Sequence, residues 1–510
     1  MYLTQALHRN VQQHPDAPCT IFGARVRSHT ESMDRVARLA AGLKGLGVAR
    51  GDRVAILALN SDYYHEFLCA VPWADAVFVP VNTRWSAAEI AYSLQEAEVH
   101  VLFVDDSHLG LVLELRQRCP GLESIVFVGE GAAPEGLVGF NALVDTHDPV
   151  PDAQRRGDEI AALFYTGGTT GTPKGVMLSH RNLLTSALGT LAYDFLPHGG
   201  RLLHAAPMFH LADLAVWVAQ SALGGSHVIV VGFEPGAVLQ AIAEHKVEAA
   251  LLVPTMIQML VDDPRVGDHD LRSLTHLIYG ASPISEAVLA RARKVFGTAR
   301  FTQLYGMTEI SPVATVLPDK CHDDPRLRRS AGIAAPHSLV KIVDPMGQEV
   351  ERGVVGEICV SGDHVMLGYW KKPEETAAAV RDGWMHTGDG GYMDGQGFVF
   401  IADRIKDMII TGGENVYSVE VENVVAEHPA VASCAVIGVP DEEWGERVHA
   451  VVVLVPGAEL TRDELRAHCR AEIAAYKCPR TLEIVPALPL SGAGKILKRE
   501  LRRQHQEDGA

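Results

Sequence analysis

The chain has 510 residues and a formal net charge of −18, from 45 basic and 63 acidic side chains. At roughly 100–200 residues per domain, this length predicts two to four folding units. The acidic balance argues against a nucleic-acid partner, which calls for a basic domain, and against a polybasic membrane anchor. Apolar residues form 47% of the chain and glycine contributes 47 residues, which favours a globular α/β enzyme over a coiled coil or a disordered chain.

The cysteines and the apolar runs indicate a cytoplasmic protein. Eight cysteines are scattered without CxxC spacing, a pattern typical of reduced thiols rather than of a disulfide scaffold or a zinc site. The first residues contain no apolar run long enough for a signal peptide. No apolar stretch reaches about 18 residues without polar interruption, so we expect no membrane span.

Strand-like and helix-like segments alternate along the first 150 residues, which predicts a parallel sheet covered on both faces. In chain order, the hydrophobic patterns predict a helix over 35–46, a strand over 53–59, a helix over 62–74, a strand over 76–81, a helix over 87–97 and a strand over 99–104. Further strands are predicted over 201–206, 226–231, 249–253 and 276–279.

The later part of the chain changes character twice. Residues 339–360 combine short alternating strands with turn pairs, as in a small β-barrel or hairpin layer. After Lys406 the pattern restarts, with helices over 419–427 and 461–474 and strands over 431–439 and 449–455. The prediction is an α/β fold, in which a large N-terminal domain has parallel α/β subdomains and a small β-barrel-like part, followed by a small α+β C-terminal domain.

The most informative local pattern is the segment 165–175, Tyr-Thr-Gly-Gly-Thr-Thr-Gly-Thr-Pro-Lys-Gly, which follows an apolar run. Glycines expose backbone N–H groups, threonines add hydroxyl donors and Lys174 adds a positive charge, a combination suited to a polyphosphate. The alternative is a glycine-rich turn without a ligand, but the segment has more donors than a turn needs. It is not a Walker A motif, because Pro173 precedes Lys174 and Gly175 follows it.

Five further motifs follow in order, and together with this loop they resemble the acyl-adenylate-forming superfamily of acyl-CoA synthetases, luciferases and peptide-synthetase adenylation domains. The resemblance covers nearly the whole chain. It implies that residues 1–402 form the adenylate-forming domain, 403–407 a hinge and 408–510 a mobile C-terminal lid. The motifs are Gly-Ala-Ser-Pro-Ile at 280–284, Gln-Leu-Tyr-Gly-Met-Thr-Glu at 303–309, His-Thr-Gly-Asp at 386–389, Asp-Arg-Ile-Lys-Asp-Met at 403–408 with Gly-Gly-Glu-Asn at 412–415, and Leu-Ser-Gly-Ala-Gly-Lys-Ile at 490–496.

The resemblance implies two half-reactions. A carboxylate attacks the α-phosphate of ATP to give an acyl-adenylate and pyrophosphate, and the thiol of CoA then attacks the acyl carbon and displaces AMP. The first step brings two anions together, so positive groups and Mg²⁺ must offset their repulsion. By this resemblance Lys495, Thr308 and Glu309 are catalytic, and Thr166 and Glu309 hold the metal. Nucleotide binding falls to Thr166, Gly167, Gly168, Thr169, Thr170, Gly171, Lys174, Gln303, Tyr305, Asp389 and Arg404.

The same resemblance assigns the remaining site positions. Tyr305 is expected to stack on adenine, and Asp389 to accept hydrogen bonds from the ribose hydroxyls. Ordinary roles stay open: Lys495 as a solvated lysine, Glu309 as a helix N-terminal carboxylate and Trp444 as a half-buried core residue. The acyl pocket is assigned to His210, Gly280, Ala281 and Ser282, the hinge to Lys406, and CoA binding to Gly412, Gly413 and Trp444.

The acid and the thiol acceptor are the least determined features. The segment after His210 is mostly apolar, and at the position that the resemblance assigns to the acyl tunnel it predicts an apolar acid. Some long-chain fatty-acyl ligases of the superfamily share the pair Gly167-Gly168, whereas many aryl ligases have Ser-Gly there, so the resemblance favours a medium- or long-chain fatty acid over an aryl acid. Free CoA is favoured, because no carrier domain is found up to residue 510. The alternatives are an aryl or cinnamate-type CoA ligase, an amide-forming or carrier-protein ligase, and a catalytically silent nucleotide-binding relative. A homodimer and a lysine acetyltransferase acting on Lys495 are the further partners considered, since acetylation removes the charge that the first step needs.

Overall fold

A computed structural model describes residues 1–166, 173–282, 284–404, 407–411, 414–441, 444–491 and 496–507, apart from the side chains of residues 403, 404, 415, 506 and 507. Within these ranges the α-helices are α1 Gln5–Gln13, α2 His29–Gly45, α3 Asp62–Trp73, α4 Ala87–Glu96, α5 Val112–Arg118, α6 Phe140–Thr146, α7 His180–Leu191, α8 Leu211–Ala222, α9 Pro235–His245, α10 Pro254–Val261, α11 Glu286–Val295, α12 Pro373–Ala379, α13 Ser418–Ala426, α14 Arg462–Glu472 and α15 Lys498–Glu507.

The strands of the same ranges form four sheets. They are β1 Pro18–Phe22, β2 Arg25–Ser28, β3 Arg53–Leu57, β4 Val77–Pro80, β5 Val99–Asp105, β6 Ser124–Val128, β7 Val138–Gly139, β8 Ile160–Thr166, β9 Lys174–Ser179, β10 Arg201–His204, β11 Ser226–Ile229, β12 Ala249–Leu252, β13 His276–Gly280, β14 Arg300–Gly306, β15 Val313–Leu317, β16 Ile333–Ala334, β17 Leu339–Val343, β18 Gly356–Ser361, β19 Gly368–Tyr369, β20 Val380–Arg381, β21 Trp384–Met393, β22 Val399–Arg404, β23 Ile409–Thr411, β24 Glu414–Val416, β25 Val431–Asp441, β26 Gly445–Leu454 and β27 Thr481–Ile484.

The first sheet has eight strands in the order β19-β9-β8-β4-β3-β5-β6-β7, and those from β8 to β7 run parallel. Its central strands β3 and β4 are apolar and almost wholly buried, as expected for a parallel sheet covered on both faces. Helix α3 is buried along its whole length. The strand β9 pairs antiparallel with β8, and β19 pairs antiparallel with β9.

The second sheet has nine strands in the order β16-β15-β14-β13-β12-β10-β11-β1-β2, and those from β14 to β1 run parallel. Its parallel strands β10, β12, β13 and β14 end at one common edge. In open α/β sheets, ligands bind outside the carboxyl ends of the strands. This edge therefore positions the loops that contain several of the candidate motifs.

Two smaller sheets complete the α/β fold that the sequence predicts. The β-barrel-like part is a five-stranded antiparallel sheet, β17-β18-β21-β20 with β22 beside β21. The C-terminal sheet, β24-β23-β26-β25 with β27 on β26, packs with α13 and α14 around its own apolar core. The chain passes between these sheets after β22, around Lys406, which lies outside the described residues. The division at residues 402 and 408 stays a prediction.

Most predicted element ends lie within two residues of the observed ends. The predicted start of α2 at Arg35 is wrong, because the helix begins at His29. Ser28 accepts from the Glu31 N–H while the Glu31 side chain accepts from the Ser28 N–H, a capping box that fixes this start. The predicted start of β26 lies four residues after the observed one, and the elements without a prediction include α1, β1, β2 and the helices from α5 to α12. Among the described residues, no helix combines the length and apolarity needed to span a membrane.

Candidate active site

The glycine–threonine loop connects two antiparallel strands of the eight-stranded sheet. Residues 167–172, which include Gly167, Gly168, Thr169, Thr170 and Gly171, lie outside the described part of the chain. Strand β8 ends at Thr166 and β9 begins at Lys174, and these two residues are direct cross-strand partners. The side chains of these two residues therefore leave the hairpin on the same face, where the strands meet the loop.

Tyr369 joins this hairpin to Glu309. It lies on β19, opposite Val176 of β9, and its ring centroid is 5.0 Å from Lys174 Nζ. Its hydroxyl donates to Glu309 Oε1 at 3.0 Å. Burial and this carboxylate raise the pKa of Tyr369, so the phenol is a neutral donor at neutral pH.

Glu309 is a buried carboxylate, 6% exposed, in the 3₁₀ helix Thr308–Ile310. A helix of three residues has too small a dipole to account for a buried carboxylate, so the helix-terminus interpretation loses its support. The backbone carbonyl of Glu309 also accepts from the Met366 N–H at 2.8 Å. The segment before Tyr369 is thereby fastened to the end of β14.

Tyr305 and Asp389 form the second polar pair of the site. The Tyr305 hydroxyl donates to Asp389 Oδ2 at 2.8 Å, and each residue is 9% exposed. The next residue, Gly306, has no room for a side chain, because a Cβ there would lie 1.7 Å from the Pro312 carbonyl oxygen. Asp389 is also the cross-strand partner of Arg404, whose side chain lies outside the described atoms. Two predicted ribose-side residues are therefore neighbours on β21 and β22.

Glu357 supports the turn before Asp389. Its Oε1 accepts from the Gly388 N–H at 3.0 Å, and its Oε2 lies 2.7 Å from His386 Nδ1. Gly388 has a φ of +72°, a conformation that favours glycine. Thr387 Oγ1 accepts from the Asp389 N–H at 3.1 Å. These contacts hold the Asp389 backbone in place before any ligand binds.

The predicted acyl-pocket residues lie at the carboxyl edge of the nine-stranded sheet. Gly280 ends β13 opposite Leu304, and a Cβ at Gly280 would lie 2.2 Å from the Leu304 carbonyl oxygen. Ala281 follows with a φ of +67°, and Ser282 comes next, half-buried. His210, the N-cap residue of α8, follows the parallel strand β10. Both segments therefore leave the sheet at the same edge.

Gln303 and Thr308 flank Tyr305 along the chain at this edge. The Tyr279 hydroxyl lies 3.3 Å from Gln303 Oε1 and 2.8 Å from His322 Nε2. Thr308 opens the 3₁₀ helix that contains Glu309. The end of β14 thus gathers predicted adenine, phosphate and metal contacts within seven residues, 303–309.

The C-terminal candidates fall largely outside the described residues, which exclude Lys406, Gly412, Gly413 and Lys495. The chain on either side of Lys495 is described: Leu490 and Ile496 form an antiparallel bridge. Arg84 donates from its guanidinium to the Ser491 carbonyl oxygen at 3.0 Å. Arg84 follows β4, which runs parallel to β8, so this contact lies at the sheet edge where Thr166 ends β8.

Trp444 is half-buried within the C-terminal domain. The Arg480 guanidinium carbon lies 4.1 Å from its ring centroid, and the backbone N–H of Trp444 donates to Asp441 Oδ1 at 3.1 Å. These contacts give Trp444 a packing role, and its contact with CoA stays a prediction.

A buried chain of hydrogen bonds resembles a catalytic triad but is not accessible. His204 Nδ1 lies 2.8 Å from Asp213 Oδ2, and His204 Nε2 lies 2.9 Å from His227 Nδ1. The three residues are 0–1% exposed. Burial lowers the pKa of His227 well below its usual range, so its ring is neutral. We assign this chain to the packing of α8 against β10 and β11.

Sequence reasoning did not identify Tyr369, Glu357 or Arg84. Their partners lie 60, 31 and 407 positions away in the chain, at Glu309, Gly388 and Ser491, so no local periodicity reveals the contacts. The one signal available in the sequence is Glu357, the charged residue of the strand β18.

Comparison with known proteins yields two family models and close relatives over the whole chain. The model described as AMP-binding enzyme matches residues 7–370, and that described as AMP-binding enzyme C-terminal domain matches residues 420–495. Feruloyl-CoA synthase from Amycolatopsis sp is 41% identical, covering 97% of each chain. Fatty acid–[acyl-carrier-protein] ligase ScoC from Streptomyces coeruleorubidus is 37% identical, covering 100% of this chain and 97% of the relative. The crystal structure of the anthranilate CoA ligase AuaEII in complex with anthranoyl-AMP aligns with a TM-score of 0.94 at 28% identity, covering 100% of this chain and 98% of that one.

Proposed function

The chain belongs to the AMP-binding enzyme family and is an enzyme of the AMP-forming acyl-CoA ligase class, and from this premise we propose that it joins an apolar carboxylic acid to CoA through an acyl-adenylate. The observation that carries the proposal is a pair of tyrosine–carboxylate hydrogen bonds at the end of β14. Tyr305 bonds Asp389 at 2.8 Å and Tyr369 bonds Glu309 at 3.0 Å. Each of the two carboxylates is thus held by a tyrosine hydroxyl, and the ring of Tyr369 also lies 5.0 Å from Lys174 Nζ. This supports Asp389 as the ribose acceptor and Glu309 as the carboxylate on the phosphate side.

In the first half-reaction an oxygen of the substrate carboxylate attacks the α-phosphorus of ATP, and pyrophosphate leaves. Asp389 accepts from the ribose hydroxyls, and Tyr305 fixes the orientation of that carboxylate while its ring faces adenine. Lys174, Arg404 and Lys495 provide positive charge against the approaching anions, and Thr308 donates to the α-phosphate. Preorganised charge of this kind acts strongly in a site from which water is excluded.

Magnesium fits the donor set on the phosphate side of the site. Mg²⁺ prefers hard oxygen ligands and commonly takes one or two from the protein. Glu309 offers a buried carboxylate oriented by Tyr369, and Thr166 offers a hydroxyl at the end of β8. Glu309 and Thr166 would hold the ion, which supplies charge neutralisation to the phosphates when bound.

In the second half-reaction the CoA thiolate attacks the acyl carbon, and AMP leaves. We propose that residues 408–510 rotate about Lys406 between the two steps, which withdraws Lys495 and exposes a thiol path along Gly412, Gly413 and Trp444. The bond from Arg84 to Ser491 supports an arrangement in which the Lys495 loop docks over the phosphate side of the site. That arrangement suits the first half-reaction.

Two classes of apolar acid are candidates. Identity of 41% to a feruloyl-CoA synthase over 97% of the chain favours an aryl acid of the hydroxycinnamate type. The Gly167-Gly168 pair and the relative named as a fatty acid ligase favour a medium- or long-chain fatty acid. The identity to the feruloyl-CoA synthase extends over nearly the whole chain, whereas the Gly167-Gly168 pair is only two residues. The aryl acid is therefore the first substrate to test and the fatty acid the second.

A pyrophosphate-release screen over aryl, fatty and amino acids, each with and without CoA, tests both the acid and the acceptor. The proposal expects release with an apolar acid and formation of its CoA thioester. Release without thioester would instead favour an amide-forming ligase or a carrier-protein ligase, the second being the activity in the name of the relative ScoC. No release with any acid would refute the proposal. Acetylation of Lys495 and a homodimer stay proposals that mass spectrometry and light scattering address separately.

A further inference from the structure

Three potential metal ligands converge in the C-terminal domain, and none of them belongs to the candidate active site. His449 lies on β26, Glu483 on β27 and His505 on α15. One ligand atom from each lies within 4.8 Å of the others. The three elements are sequentially distant, so only the folded domain assembles this cluster.

The distances in the cluster match those around a four-coordinate cation. Glu483 Oε2 lies 2.9 Å from His505 Nε2 and 3.7 Å from His449 Nε2. With metal–ligand bonds of about 2.0–2.2 Å, tetrahedral ligand atoms lie roughly 3.3 Å apart. The two observed distances fall on either side of that value, so small side-chain movements suffice to accommodate an ion.

His449 provides an independent observation. It is 5% exposed, and its Nε2 has no hydrogen-bond partner among the described atoms. The 3.7 Å separation from Glu483 exceeds the length of a hydrogen bond. Its other ring nitrogen, Nδ1, lies 2.7 Å from Thr481 Oγ1. Metal-binding histidines are typically held in this way through the second nitrogen, with the first directed at the ion.

In the C-terminal cluster His505 Nε2 is hydrogen-bonded to Glu483 Oε2 at 2.9 Å, and His449 Nε2 is the ligand atom without a partner among the described atoms. In the other described group of ligand-type side chains, Glu357 Oε2, Cys359 Sγ and His386 Nδ1 are all hydrogen-bonded within the group. His386 Nδ1 is already hydrogen-bonded to Glu357 at 2.7 Å, and Glu357 also holds the Gly388 N–H. The side chains of that group support the turn before Asp389. It serves as an internal comparison for the C-terminal cluster.

We propose that His449 Nε2, His505 Nε2 and the Glu483 carboxylate bind one divalent transition-metal cation of the zinc type, which fastens α15 to β26 and β27. Two imidazoles and one carboxylate suit zinc better than calcium or magnesium. The Glu483 side chain is 42% exposed and that of His505 is 21% exposed, so the site is open to water as a fourth ligand. Because α15 begins at Lys498, the ion would anchor the chain just beyond the Lys495 loop.

Cobalt provides the direct test, because Co²⁺ replaces Zn²⁺ in such sites and absorbs visible light when bound. Tag-free full-length protein is stripped with a chelator and titrated with Co²⁺, then with Zn²⁺. We expect one equivalent of bound Co²⁺ that Zn²⁺ displaces. His505→Ala and Glu483→Gln abolish this absorption, whereas His428→Ala, a histidine variant in the same domain outside the cluster, retains it. Cys359→Ser also retains it, which excludes binding at the Glu357 group.

The ligand variants could lose Co²⁺ binding simply by failing to fold, so the test also includes a variant that keeps all three ligands and a readout on the wild-type protein. Thr481→Val leaves all three ligands in place but removes the bond to His449, so Co²⁺ binding weakens about 10- to 100-fold. In the wild-type protein, Zn²⁺ slows amide hydrogen exchange along α15 and leaves that of α3 unchanged. The proposal is overturned if the wild-type protein binds no Co²⁺, if the ligand variants bind it equally well, or if Zn²⁺ does not protect α15.

Discussion

Replacing Tyr305 by Phe removes one hydroxyl from the centre of the site and leaves its ring in place. The lost bond joins that hydroxyl to Asp389 Oδ2 at 2.8 Å, between residues that are each 9% exposed. Hydrogen bonds to charged groups contribute about 1.5–3 kcal/mol. At about 1.36 kcal/mol for each factor of ten, kcat/KM for ATP falls about 10- to 150-fold. The loss arises because the carboxylate that accepts from ribose is no longer oriented.

The assay is acid-dependent pyrophosphate release at varied ATP, with Tyr63→Phe as the matched control. The Tyr63 hydroxyl also contacts a carboxylate, Glu130 Oε1 at 3.1 Å, but lies in the packing of α3. We expect Tyr63→Phe to keep the wild-type kcat/KM. With 2′-deoxy-ATP the penalty of Tyr305→Phe shrinks, because Asp389 then has fewer hydroxyls to bind. An unchanged kcat/KM in Tyr305→Phe, or equal losses in both variants, would refute the reasoning.

Three further predictions concern the surroundings of the site. Glu357→Ala removes the carboxylate that accepts from the Gly388 N–H and contacts His386 Nδ1, and it is expected to raise KM for ATP at least about tenfold while the protein stays folded, because the turn before Asp389 loses both contacts. An unchanged KM would contradict the positioning role. Tyr369→Phe removes the donor to Glu309 and is expected to raise the Mg²⁺ concentration that gives half-maximal pyrophosphate release; an unchanged Mg²⁺ requirement would contradict it. Burial, with Glu357 nearby, raises the pKa of Cys359 to about 12, so alkylation of this thiol in the folded protein stays slow as the pH rises from 7 to 9. Mass spectrometry that finds Cys359 modified as fast as a free thiol would oppose that view.

The periodic elements were predictable because their signals are local. Strand β3 and helix α3 are mostly apolar, buried runs, and the sequence alone predicts the ends of both to within two residues. The start of α2 also has a local signal, since Ser28 and Glu31 have the capping-box spacing. The residues between them are polar, so the hydrophobic pattern does not extend back to this start. Strand β1 depends on pairing with β11, from Thr20 to His227, and no local pattern specifies such a partner.

The candidate site divides in the same way. Motifs predict Thr166, Lys174, Tyr305, Glu309 and Asp389 as site residues, because each motif is a short run of chemically distinctive residues. The residues that orient them were not, since Tyr369 reaches Glu309 only when β19 pairs with β9. Such tertiary contacts decide how the charged side chains of the site are oriented. They depend on the fold and not on the residues adjacent in the sequence.

The Lys495→Ala variant, assayed separately in the two half-reactions, tests the proposed mechanism most directly. The first assay follows acid-dependent pyrophosphate release without CoA, and the second follows thioester formation from supplied acyl-adenylate and CoA. Loss of one charged donor from a preorganised site is expected to slow the first step about 100- to 1,000-fold. The second step should stay within about threefold of wild type, since no polyanion is attacked there. Equal losses in the two half-reactions would contradict the assignment of Lys495 to adenylate formation.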